Sequence, residues 1–61
     1  MVQITTFEQT IKSTESLYSI LKKIVDNYFS SPRTIEIYIN NIDYITIHII
    51  DITEIKMIKA E

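Results

Sequence analysis

Cysteine, glycine and tryptophan are absent from this 61-residue chain, and proline and histidine occur once each. Without cysteine no disulfide can form, and one histidine with no thiolate cannot close a tetrahedral zinc shell. A chain this short buries only about 60% of the surface its unfolded form exposes. Small domains compensate with disulfides, a metal, self-association or dense apolar packing. Only the last two remain here. The missing glycines also remove the phosphate-cradling loops, the G-x-S-x-G nucleophile turn and the glycine-bent calcium loop, and no H-E-x-x-H occurs. Nor does the composition fit a flexible linker or a low-complexity segment.

Positive charge is scarce. Six Lys/Arg against eight Asp/Glu give a net charge of −2, which weighs against a mainly electrostatic grip on nucleic acid or anionic lipid. No apolar run approaches the ~20 residues of a membrane span. The opening MVQITTFEQT lacks a basic region followed by an apolar stretch, so the cytoplasm is the expected location and no membrane partner is expected.

What the chain has is isoleucine: fifteen, beside two each of Leu, Val, Met and Phe, four Tyr and one Ala. Burying one large aliphatic side chain contributes roughly 1.5–3 kcal/mol, so about a dozen offset much of the ordering entropy. The balance at this size stays near zero, and a homodimer is the expected remedy. An isoleucine-rich, Lys/Asn-containing, glycine-free composition is typical of AT-rich genomes, including those of phages and plasmids.

Along the chain, Val2 to Thr5 (VQIT) alternates and predicts a short strand at 2–5. Thr6-Phe7-Glu8-Gln9 fits a capping box, in which the Thr6 hydroxyl accepts from the Gln9 amide; Thr5-x-x-Glu8 fits one residue earlier. A helix over 7–29 is expected to follow, because Phe7, Ile11, Thr14, Tyr18, Leu21, Val25 and Tyr28 recur at spacings of four and three. Leu17, Ile20 and Ile24 widen this stripe to roughly half the circumference, more than one sheet needs. The surplus predicts a second contact. Glu8, Lys12, Glu15, Ser16, Ser19, Lys22, Lys23 and Asp26 form the opposite, solvated face. Ser30-Ser31-Pro32 ends the helix.

Strands are then expected at 33–40 and 44–51, with Ile35, Ile37, Ile39, Ile45, Ile47 and Ile49 on one face. A two-residue Asn40-Asn41 turn would mix the faces. A three-residue loop, Asn41-Ile42-Asp43, keeps the isoleucine face pure and sets Tyr38 opposite Thr46 and Glu36 opposite His48. Beyond His48 the parity breaks. A bulge near Ile50-Asp51, or a turn at Asp51–Thr53 into a short strand at 54–59, would each repair it; a terminal helical turn is the third choice. The expected architecture is a single α+β domain over 1–61, of order β-α-β-β with room for a fourth strand, an antiparallel sheet covering one long helix.

No catalytic, cofactor-binding or metal-ligating residue is expected. His48 is the one imidazole available as a general base or ligand, but its one orienting partner, Glu36, sits on the wet face of a hairpin without a pocket. Asp43, Asp51 and Glu54 lack a calcium-loop spacing. The expected function is that of a non-enzymatic interaction protein, binding another protein by occlusion through Glu36, Tyr38, Tyr44 and His48, with Tyr28 and Phe29 as a helix-end contact. Accessory inhibitors of host enzymes or defence systems carried by phages and other mobile elements fit this size and composition. The alternative is a small dimeric nucleic-acid-binding regulator, with Lys22, Lys23 and Arg33 on phosphates and the tyrosines stacking bases.

Overall fold

The first strand, β1 (Val2–Thr6), forms where the alternation predicts it, with Val2, Ile4 and Thr6 buried. In the computed structural model, which describes residues 1–58, no helix follows directly. The chain reverses over Phe7–Gln9 and returns as β2 (Thr10–Ser13), antiparallel to β1 with Ile4 opposite Ile11. The hydrogen bond expected of the capping box does form: Thr6 Oγ1 accepts from the Gln9 amide at 3.2 Å and from the Glu8 amide at 3.4 Å. However, the Thr6 N–H donates to the Gln9 carbonyl at 2.8 Å, which closes a hairpin instead of opening a helix. A threonine hydroxyl can serve either geometry. β-branched Thr5, Thr6, Thr10 and Ile11 favour the strand, and pairing with β1 buries Ile11 and Ser13 in alternation.

The helix expected over 7–29 is therefore corrected to α1 (Leu17–Asn27). Its cap is Ser16, whose Oγ accepts the Ser19 amide at 3.1 Å. The face it buries also differs from expectation. Leu17, Ile20 and Ile24, the expected flank, meet the core, whereas Tyr18, Leu21, Val25 and Tyr28 face outward. The first third of the predicted stripe, Phe7 to Thr14, belongs to the hairpin, so it cannot fix the helix's orientation.

β3 (Thr34–Tyr38) and β4 (Tyr44–His48) pair antiparallel, both shorter than expected, with Ile35 opposite Ile47 and Ile37 opposite Ile45. Their loop, Ile39 to Asp43, is two residues longer than predicted. Asn40 explains the length: its Oδ1 accepts the amides of both Ile42 and Asp43 at 2.7 Å, and the Ile39 N–H donates to the Asp43 carbonyl. A two-residue change preserves parity, so the isoleucine and tyrosine faces stay separate. It does move the partners. Tyr38 lies opposite Tyr44, Glu36 opposite Thr46 and Thr34 opposite His48, so the expected Glu36–His48 cross-strand pair is not formed.

Residues Ile49–Asp51, expected as strand, make a 3₁₀ turn, and β5 (Ile52–Met57) then pairs antiparallel with β1. Thr5 faces Glu54 while Thr6 faces Ile52, leaving Thr53 as a bulge whose Oγ1 donates to the Thr5 carbonyl at 3.1 Å. Turn and bulge together repair the parity. The strand expected at 54–59 thus starts two residues early, and its last position lies outside the described residues.

Over the described residues the molecule is a single small α+β domain of one helix and five strands. Those strands form two antiparallel sheets, β2-β1-β5 and β3-β4, where one was expected. Val2, Ile4, Ile11, Ile20, Ile35, Ile37 and Ile47 form the core. No described residue has positive φ. The bends rely on side-chain acceptors instead: Thr6 for the first hairpin, Ser13 for the Glu15 amide at 3.0 Å, Ser16 for the helix start and Asn40 for the second hairpin. No helix among the described residues is long and apolar enough to cross a membrane.

Candidate interaction surface

Alternation along β3 and β4 puts Glu36, Tyr38, Tyr44, Thr46 and His48 on the outer face, all exposed. The directly opposed Tyr38 and Tyr44 rings lie 5.6 Å apart at 50°, within the range of favourable aromatic contact. Lys23 Nζ sits 5.2 Å from the Tyr38 ring centre. Between α1 and β3 runs a groove of about 450 Å³, lined by Lys23 and Asn27 of the helix and by Thr34, Glu36, Tyr38 and Thr46 of the sheet.

Among the described residues one edge of β3 has no strand beside it, and side chains occupy its Tyr38 end. Glu15 Oε2 accepts the Tyr38 amide at 2.8 Å, and Ser13 Oγ donates to the Tyr38 carbonyl at 2.6 Å. Lys23 Nζ donates to the Glu36 carbonyl at 2.7 Å while contacting the Glu15 carboxylate at 2.7 Å. Ser19 Oγ completes the set on Glu15 at 2.9 Å. Partial burial pushes the Glu15 carboxyl up. The hydrogen bonds from Lys23, Tyr38 and Ser19, with the lysine's charge, outweigh that and hold it below its usual value. Side chains from the end of β2, the β2–α1 link and α1 thus fix the tyrosine that anchors the surface. Sequence patterning had placed Glu15 and Lys23 on a solvated face, and no spacing rule links either to Tyr38, 23 and 15 residues on.

The expected site residues divide into groups. Tyr38 and Tyr44 meet, as do Tyr28 and Phe29, whose rings lie edge to face at 5.1 Å with the Arg33 guanidinium 5.9 Å from Tyr28. His48 lines a hollow of about 140 Å³ with Glu8, Gln9 and Asp51, away from its expected partner Glu36. Asp43 accepts from the Asn40 side-chain amide, and Glu54 pairs with Lys56 at 3.7 Å. Among the described residues no three His, Cys, Asp or Glu come together as a metal site. Of the expected phosphate contacts, Lys22 pairs with Asp26 at 3.6 Å, Lys23 is held by Glu15, and Arg33 lies against Tyr28. Each thus has a neighbour of its own within the chain.

Two rings, a cation over one of them and flanking hydroxyl, amide and carboxylate groups can stack on flat apolar groups and exchange hydrogen bonds. Set against known protein families, curated proteins and solved structures, the chain matches none.

Proposed function

We propose that this chain is a non-enzymatic interaction protein that binds another protein through the outer face of β3–β4 and acts by occlusion, as a homodimer in the cytoplasm. The Tyr38–Tyr44 pair beside the groove carries the reading. Aromatic side chains that are half exposed, rigidly held and adjacent to a concavity are the usual anchors of protein interfaces, since they bury a large area at little entropic cost. The Glu15 and Ser13 bonds supply the rigidity by fixing the Tyr38 backbone. An accessory inhibitor from a phage or other mobile element, directed at a host enzyme or defence system, is the role that fits this size and composition.

The test is affinity capture from the native host with wild-type protein and with Tyr38→Ala/Tyr44→Ala. The expected result is a protein captured by the wild type and lost from the double variant, whose far-UV circular dichroism is unchanged. The regulator reading predicts instead that labelled DNA or RNA binds tightly, with affinity falling at a log-log slope near −0.9 per neutralised phosphate as salt is raised. That outcome, with no protein captured, would overturn the proposal.

A further inference from the structure

The outer face of α1 carries an apolar stripe that the core of the described residues does not cover, with Arg33 and Phe29 beside Tyr28 at its end. Tyr18 is 76% exposed, Val25 73% and Tyr28 48%, with Leu21 between them. Their spacings of three, four and three residues follow the 3.5-residue repeat of a helix-pairing seam. Lys22 and Asp26 run along one flank of that seam, exposed and loosely paired at 3.6 Å. Phe29, 90% exposed, extends the stripe beyond the helix end. The core takes the other side through Leu17, Ile20 and Ile24.

We infer that this face is where two copies of the chain meet, their α1 helices packed about a twofold axis; the inference rests on the homodimer part of the reading above. Two features select a second copy. First, the stripe is self-complementary: a twofold that sets Leu21 against the partner's Val25 also sets Tyr18 against the partner's Tyr28, so every apolar position of the seam meets another. Second, the area suffices. Aromatic side chains each carry ~150–250 Å², so the exposed parts of Tyr18, Tyr28 and Phe29 alone amount to on the order of 400 Å². Leu21, Val25 and the charged flank bring the face toward the about 800 Å² per partner of a stable interface.

Light scattering after size exclusion is the primary experiment, run on wild type, Val25→Lys and Tyr18→Glu over a wide range of concentration. Both substituted side chains are exposed, so the fold should be retained, with circular dichroism as its check. The expected result is a wild type at twice the 7.2 kDa chain mass, with self-association at least tenfold weaker in each variant. A wild type that stays at the chain mass throughout overturns the homodimer itself. A dimer that survives Val25→Lys and Tyr18→Glu leaves the homodimer standing and removes α1 as its interface.

Discussion

Replacing Glu15 by glutamine keeps the side chain's shape and one acceptor oxygen but removes its charge. In the native protein that carboxylate takes hydrogen bonds from Lys23, Ser19 and the Tyr38 backbone, and its side chain is only 13% exposed. Hydrogen bonds to charged groups contribute about 1.5–3 kcal/mol each, and a donor left without its partner costs its desolvation as well. Glutamine retains part of this set, so Glu15→Gln should cost about 2 kcal/mol and Glu15→Ala about 3 or more. For a 61-residue domain, whose whole stability is on the order of 3–9 kcal/mol, either loss is large. The melting temperature should fall by roughly 8–16 °C for the glutamine variant. The pH dependence adds a second handle. Because the folded carboxyl titrates below the usual 4.5, the unfolded chain binds more protons in the interval between the two values. The carboxylate's contribution is thus complete above the unfolded value and is lost as pH falls through the folded one. Urea melts of wild type and Glu15→Gln, at one chain concentration because association adds to stability, should differ by about 2 kcal/mol at pH 7 and converge on acidification. A difference below about 0.5 kcal/mol at pH 7, the size of an ordinary surface change, would refute the reasoning. So would a gap that persists undiminished in acid.

Ile37→Ala, at a fully buried core position, should destabilise by about 2–5 kcal/mol, read as a lower urea midpoint. Ser16→Ala removes the α1 cap and should cost about 1 kcal/mol, with the loss of helical ellipticity on heating shifted downward. His48→Ala, on the exposed face, should change stability by less than about 0.5 kcal/mol in the same urea melts.

Much of sheet β3-β4 was legible because its signal is local: strict alternation fixes which side chains share a face, and parity survives an error of two in loop length. Register was less legible. The Asn40 side chain captures two amides and holds the loop at five residues, a choice that turns on one hydrogen-bonding group. The amino-terminal half was misread for a related reason. A threonine hydroxyl accepting the amide three residues on suits a helix start and a tight hairpin equally, and only pairing with β1 decides between them. The helical periodicity from Phe7 to Thr14 was coincident with a strand that buries Ile11 and Ser13. Of the candidate surface, Tyr38 and Tyr44 follow from the alternation, whereas Glu15 and Ser13 do not, since contacts over 23 and 25 residues leave no mark on spacing.

The side chains around Tyr38 have a consequence for how so isoleucine-rich a chain coexists with its own copies at high concentration. A bare β-strand flank is a template on which a foreign strand can add, and repeated addition builds a fibre. At Tyr38 the template is already taken: its amide is held by a carboxylate, its carbonyl by a hydroxyl, and the neighbouring Glu36 carbonyl by an ammonium. An incoming strand would have to displace an ion pair before gaining its first bond. The β2–α1 link thus protects this end of β3 from seeding as well as joining two elements.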